Sequence, residues 1–293
     1  MLIEQKLETV KLSSAQQAVI DYFFKEREKI KNKTIKMIAK ETYTSSTTVV
    51  RLAKKLGYHG FEDFKDDFLK EINYLDTHFN NIDPNYPFVK TDNLQKISSK
   101  VTTLVQETIN DTLNLIEHDS MQQAVRLLSN ANQIHLAAIS YSLLLGQMFQ
   151  LDMMRIGVAV NICSIVGEEL FTPAIIKKED CVIFISYSGE IDQLCSLAKM
   201  VKEKGAKVIA ITGLGNNRLK KYSDVILSIA TREKLYSKIA GFCNEYSIKL
   251  ILDILYSNYF VLNYDDNLKQ RIAISKSAEV NRKATIDVMK EKS

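Results

Sequence analysis

Residues 185–190, Ile-Ser-Tyr-Ser-Gly-Glu, end a run of apolar residues and open a helical pattern. Chemistry that suits such a junction is anion binding. Backbone N–H groups converge at a helix start, and the helix dipole favours negative charge there. The hydroxyls of Ser186 and Ser188 add donors without bulk, the main chain of Tyr187 and Gly189 approaches closely, and Glu190 begins the helix. A phosphate is the natural occupant, although S-x-S-G at 186–189 taken alone also suits an ordinary serine-capped turn.

A second set of residues carries positive charge. Residues 29–60 contain Lys29, Lys31, Lys33, Lys36, Lys40, Arg51, Lys54 and Lys55 against the single acid Glu41. Eight positive side chains less one negative give +7 for this segment; the chain as a whole is +4, so the remainder is −3. Charge concentrated in one short helical region is the footprint of a phosphate-backbone binder, whereas a solvated lysine face is the bland alternative.

Other chemistry is poorly represented. The four cysteines, Cys163, Cys181, Cys195 and Cys243, lie in apolar runs without CxxC or Cys/His spacing, and read as small buried hydrophobes in a reducing compartment. Of the four histidines, His59, His78 and His118 fall outside the strand pattern, and His135 lies within a strand, where a core imidazole is the simpler reading. Glu168, Glu169 and Glu245 are carboxylates that can approach a pocket, but glutamates at helix starts are common for dipole reasons. No nucleophile–base set, Walker loop or metal-ligand spacing is present. The expectation is no catalytic residue, no metal and no cofactor.

The elements that must position these residues follow from periodicity. Five short β-branched runs, Ile134–Ala138, 158–163, Cys181–Ser186, 207–212 and Val225–Ile229, read as strands buried on both faces. Helical patterns separate most of them, including 143–154 and 192–204, and two long helices, about 236–263 and 267–290, end the chain. Alternation of this kind predicts βαβ crossovers and a doubly wound five-stranded parallel sheet flanked by helices. Residues 76–92 hold two of the three prolines and no apolar period, and read as a linker between a head at 1–75 and a body at 93–293.

The head reads as all helical. Residues 13–25 open with a serine cap and repeat apolar residues at Ala15, Val19, Tyr22 and Phe23. A second helix is capped by Thr34 and turns Ile35, Ile38 and Ala39 inward. The third, capped by Thr44 or Ser45, buries Val49, Leu52, Ala53 and Leu56 and stops at Gly57. That stripe leaves Ser46, Thr47, Thr48, Arg51 and Lys55 outside. A tight turn before a polar-fronted helix is the helix-turn-helix presentation to the major groove of double-stranded DNA. Thr44, Ser45, Ser46, Thr47 and Thr48 suit phosphates or base edges, Arg51 suits a guanine, and Lys36, Lys54 and Lys55 suit phosphates.

The run S-x-x-T-V-V-R-L-x-K-K-L-G-Y-x-G-F-x-D-F-K at 45–65, with the helices before it, resembles the N-terminal domain of the RpiR-type (MurR/RpiR) bacterial regulators. From about 90 to 265 the chain resembles the SIS (sugar isomerase) domain that usually accompanies that head. The strand–loop around 181–189 and the segment AKMVKEKGAKVIAIT carry this second likeness. Together the resemblances imply a transcriptional regulator that reads operator DNA as part of a homodimer or homotetramer, tuned by a phosphorylated sugar. Phe61 and Phe64 then become core residues.

The resemblance also implies a first pocket loop of the form G-x-G-x-S after the first strand. Here it reads Ala138-Ile139-Ser140-Tyr141-Ser142, so both glycines are replaced while Ser142 remains. The hydroxyl residue usual two positions after Gly189 is Ile191. The implied ligand residues are Ser140, Ser142, Ser186, Tyr187, Ser188, Gly189 and Glu190. Loss of donors implies weaker binding, a shifted preference or a pocket that has lost its sugar phosphate. SIS domains also occur in phosphosugar isomerases, which makes an enzyme the rival class; an adaptor without either ligand is the third. The N-terminus lacks an apolar signal segment and no run suits a membrane span, so a cytoplasmic protein is expected.

Overall fold

The computed structural model describes residues 10–77, 82–163 and 172–279, together with Ile3 and Leu7. The head begins with α1 (Ser14–Glu26), closed at its start by a capping box in which Ser13 and Gln16 exchange hydrogen bonds. A 3-10 turn (Arg27–Asn32) leads to α2 (Ile35–Glu41), capped by Thr34 as its sequence implies. Then come α3 (Ser46–Lys55) and α4 (Phe61–Thr77). Ser45, not Thr44, caps α3: its Oγ accepts from the Thr48 N–H at 3.1 Å, while the Thr44 hydroxyl bonds Thr42 at 2.9 Å.

The head's core is aromatic. Phe23 packs its ring 4.9 Å from Phe64 and 5.0 Å from Phe68, and Phe61 closes the cluster, so the two phenylalanines expected in the core are there. Such residues hold α4 against the three-helix unit and thereby orient α3. Phe64→Ala is expected to cost about 3–5 kcal/mol of stability, the range for truncating a buried phenylalanine. Urea unfolding checks this, and a loss below about 1 kcal/mol would show that α4 is held by something else.

The body opens with α5 (Leu94–Leu115) and α6 (His118–Ser129). The alternation follows: β1 (Ile134–Ala138), α7 (Tyr141–Met154), β2 (Val160–Cys163), α8 (Thr172–Ile175), β3 (Cys181–Ser186), α9 (Asp192–Glu203), β4 (Lys207–Gly213) and β5 (Val225–Ile229). Two helices, α10 (Phe242–Val261) and α11 (Tyr264–Ala278), complete the described chain. The expected elements are present with shifted ends: β2 starts two residues later and α10 six residues later than the apolar pattern implies. Residues 236–241, included in the expected helix, instead form a loop whose Lys238 and Ile239 bond Glu233 and Asn85. Residues beyond 279 lie outside the described ones.

All five strands are parallel, in the order β2-β1-β3-β4-β5. Alternate residues feed two cores, as period-2 geometry requires. Ile183, Ile185, Ile209 and Ile211 pack with α6, α7 and α10 on one face. Val182, Phe184, Val208 and Ala210 pack with α9 on the other. Helices on both faces are why these strands read as continuous apolar runs rather than alternating ones. Residues 82–93 contain no helix or strand, yet Pro84, Asn85 and Pro87 are buried and the Phe88 ring lies 6.3 Å from that of Phe242.

Candidate functional site

Strand order reverses between β1 and β3, since β1 continues to β2 on one side while β3 starts the other side. Ligands of open α/β sheets bind at such a switch point, at the carboxyl ends of the strands. Ala138 pairs with Ile185, so the loops carrying 139–142 and 186–191 leave the sheet side by side. Each enters a helix, α7 or α9, whose N-cap residue (Ser140 or Ile191) makes no side-chain capping bond. The first-turn N–H groups of both helices therefore lack the side-chain partner that a capped start would supply.

Within the second loop, Ser186 is 2% exposed and its Oγ accepts from the Gly189 N–H at 3.2 Å; Ser188 Oγ accepts from the Glu190 N–H at 3.2 Å. Gly189 sits at φ +64, where only glycine is comfortable, and a Cβ there would fall 2.2 Å from the Asn217 side chain. Tyr187 directs its ring elsewhere, bonding the Glu233 carbonyl at 2.6 Å through its hydroxyl. Glu190 is held by Arg218, which bonds it at 2.7 Å and reaches Asp192 at 2.7 Å; those two carboxylates, Asp192 foremost, raise the guanidinium pKa. In the first loop Ser140 adopts φ +58, so the chain keeps a glycine-like turn with a serine in it. Ser140 is exposed and Ser142 half-buried.

Sequence reading missed the segment that covers this loop. Residues 213–219 are stitched to it: the Gly213 N–H donates to the Tyr187 carbonyl at 3.1 Å, the Leu219 N–H to that of Gly189 at 3.0 Å, and Asn217 bonds Thr212 at 3.1 Å. No periodicity marks such residues; only the doublet Asn216-Asn217 after a glycine hints at a turn. At its tip, the Asn216 amide donates to the Gly57 carbonyl at 2.6 Å. Gly57 is the residue that ends α3. On the other side, buried Glu233 bonds Lys238 at 2.9 Å, and the Lys234 N–H donates to Asn85 at 2.7 Å.

The head presents its own surface. Val49, Leu52 and Ala53 of α3 are buried as their spacing implies, with Leu56 at its C-cap. Thr47, Arg51 and Lys54 are exposed on the outer side, with Ser46 and Thr48 half-buried at the helix start; Lys36 is exposed on α2. Lys55 is turned away from this stripe, its Nζ bonding the Lys11 carbonyl and, at 3.5 Å, Gln16 of α1.

The rival catalysts are dispersed. His135 is fully buried near the amino end of the sheet, 3.5 Å from Asp180, and burial lowers its pKa, which keeps it neutral. His59 is exposed in the head and His118 begins α6. Burial, then the Glu233 charge, raises the pKa of Glu245 in the first turn of α10. His78, Glu168 and Glu169 lie outside the described residues. Burial pushes the Cys181 and Cys243 thiols up to about 12 and Cys163 to about 11, so these cysteines are poor nucleophiles. Among the described residues no group of His, Cys, Asp and Glu is placed to hold a metal, and no helix is long and apolar enough to cross a membrane.

A helix-turn-helix head joined to a doubly wound sheet with a serine-glycine loop at its switch point is a two-part architecture of recognisable class. The helix-turn-helix domain of the rpiR family matches residues 1–73, and the SIS domain matches residues 127–252. The chain belongs to the RpiR-type regulators with a C-terminal SIS domain. An uncharacterized HTH-type transcriptional regulator of Clostridium perfringens is 26% identical over 263 residues, covering 89% of this chain and 92% of the relative. Among solved structures, the Vibrio vulnificus NanR protein complexed with ManNAc-6P shares the fold at TM-score 0.62 and 19% identity, over 96% of this chain and 98% of that one. A putative phosphosugar isomerase of Bacteroides fragilis shares the body's fold at TM-score 0.52 and 18% identity, over 59% of this chain and 96% of its own.

Proposed function

We propose that this chain is a transcriptional regulator of sugar or amino-sugar metabolism, in which the head at 1–75 binds operator DNA and the body at 93–293 binds a phosphorylated sugar, with 76–92 between them. The observation that carries this reading is the pair of loops at the β1/β3 switch point, with Ser142, Ser186, Ser188 and Gly189 beside two helix starts that lack side-chain caps. Ser140 and the main chain of Tyr187 adjoin these groups in the proposed site, while the Tyr187 ring and the Glu190 carboxylate are engaged by Glu233 and Arg218. NanR, which carries ManNAc-6P in its solved structure, makes a hexosamine 6-phosphate the first ligand to try. Calorimetric titration with ManNAc-6P and other hexose 6-phosphates tests it: saturable binding to one of them supports the sensor, and heat changes from none would remove it.

The ligand's effect reaches the head through the cover loop. Phosphate held by 186–190 bears on 213–219, whose Asn216 grips the end of α3. A coupling free energy of about 1–3 kcal/mol, or roughly 5–150-fold in operator affinity, is the usual scale for such a link. Asn216→Ala is expected to retain ligand binding while shrinking the ligand's effect on operator affinity toward onefold. An undiminished effect would place the coupling elsewhere, for example in α5 and the C-terminal helices.

We further propose that two or four copies assemble in the cytoplasm. The stripe Tyr141, Leu144, Met148, Leu151 and Met154 on α7 is exposed and apolar, a surface that suits a second copy. Pairing of bodies would hold two heads at half-site spacing. No described histidine lies at the carboxyl ends of the strands to serve as an isomerisation base, which favours a sensor over an enzyme.

A further inference from the structure

The same closing motif ends two helices of the head, once with glycine and once with tyrosine. After α3, the Gly57 N–H donates to the Lys54 carbonyl at 3.0 Å and the Tyr58 N–H to that of Ala53 at 3.0 Å. Gly57 takes φ +89 there. After α2, the Tyr43 N–H donates to the Lys40 carbonyl at 3.2 Å and the Thr44 N–H to that of Ala39 at 2.8 Å. Tyr43 occupies the glycine position of this Schellman motif, at φ +52. A bulky L-residue is strained in that well.

The two capping hydrogen bonds hold the turn, but packing of the tyrosine ring adds nothing to them. Tyr43 is 98% exposed, the largest exposure of any large hydrophobic residue among the described residues. Strained residues cluster at functional sites, and an exposed ring at such a position points to a contact outside the chain. Tyr43 stands in the turn of the helix-turn-helix unit, two residues before the Ser45 cap of α3. The exposed basic residues Lys36 and Lys40 of α2 and Arg51 of α3 lie on the two helices that this turn joins. The partner that such surroundings suit is a polyanion offering apolar faces, namely the edge of the DNA major groove with its thymine methyl groups and sugars.

We propose that Tyr43 is a DNA-contacting residue that adds operator affinity or sequence preference beside the α3 contacts. The proposal rests on the reading of the head as a DNA binder. The test uses the full-length protein and a duplex enriched by it from a random-sequence library. Tyr43→Gly, which relieves the strained φ, should raise the melting temperature by a few degrees yet weaken binding to that duplex about tenfold, the scale of one lost base-edge contact. Tyr43→Asn, also tolerant of the left-handed well, should lose affinity alongside it. Opposite signs in stability and binding are what a merely structural residue does not give. Raised or unchanged stability with unchanged affinity in both variants would overturn the proposal and turn attention to a protein partner for the ring. If the wild-type protein enriches no duplex, the DNA-binding reading itself fails, and this contact with it.

Discussion

With Ser186 and Ser188 both changed to alanine, operator binding is expected to lose its response to sugar phosphate, while the ligand-free protein still binds DNA. Ser186 is buried at the end of β3 and Ser188 half-buried two residues on, each already bonded to a loop N–H, so both hydroxyls are fixed beside the start of α9. A hydrogen bond to a charged group contributes about 1.5–3 kcal/mol, so two lost donors remove several kcal/mol, at least about a hundredfold in ligand affinity. Loss of the two internal bonds also loosens a loop that Gly189 holds at positive φ. The head lies outside the altered groups, which is why the variant should separate sensing from DNA binding. Calorimetry and operator anisotropy on the same preparation measure both. A double variant that still responds would place the sensor at another site.

The second large effect is at Arg51. Its side chain is exposed one turn along α3 from Thr47, on the side opposite the buried Val49, Leu52 and Ala53. Truncating a guanidinium bonded to a guanine costs about 1–3 kcal/mol per head, and a dimer loses it twice. Arg51→Ala is therefore expected to weaken operator binding by tenfold or more, about 1.4 kcal/mol being one decade. Loss of discrimination at one base pair marks a base contact, whereas a uniform loss with a shallower salt dependence marks a phosphate contact. Unchanged affinity would remove α3 from the recognition role. Lys55, bonded toward α1, is expected to matter much less than Lys54.

Much of this architecture was legible in the sequence because burial on both faces leaves a strong apolar signal. The strands at 134–138, 181–186 and 225–229 match the sequence expectation residue for residue, and the stripe Val49, Leu52, Ala53 is buried as its spacing implied. Gly57 announces the end of α3, and Gly189 its loop, since positive φ narrows the choice of residue. Ends set by long-range contacts were not legible: α10 starts at Phe242 rather than near 236 because Glu233, Lys238 and Asn85 hold the preceding loop in another path. The cover segment around Asn216 carries no period at all, so its contacts with Gly57 and Gly189 emerge only in three dimensions. Ser140 shows the same limit in reverse. It stands where the resemblance implies glycine, and the chain takes a glycine's positive φ there, which the residue type does not announce.

The claim that binds head and body together is that a sugar phosphate in the body alters DNA binding by the head. Fluorescence anisotropy of the full-length protein on DNA from its own upstream region, with and without a panel of hexose and hexosamine 6-phosphates including ManNAc-6P, tests it most directly. The expected result is saturable DNA binding whose affinity one of these ligands changes by roughly 5–150-fold. DNA binding that is identical in every ligand, with wild-type protein that calorimetry shows to be empty of each, would contradict it.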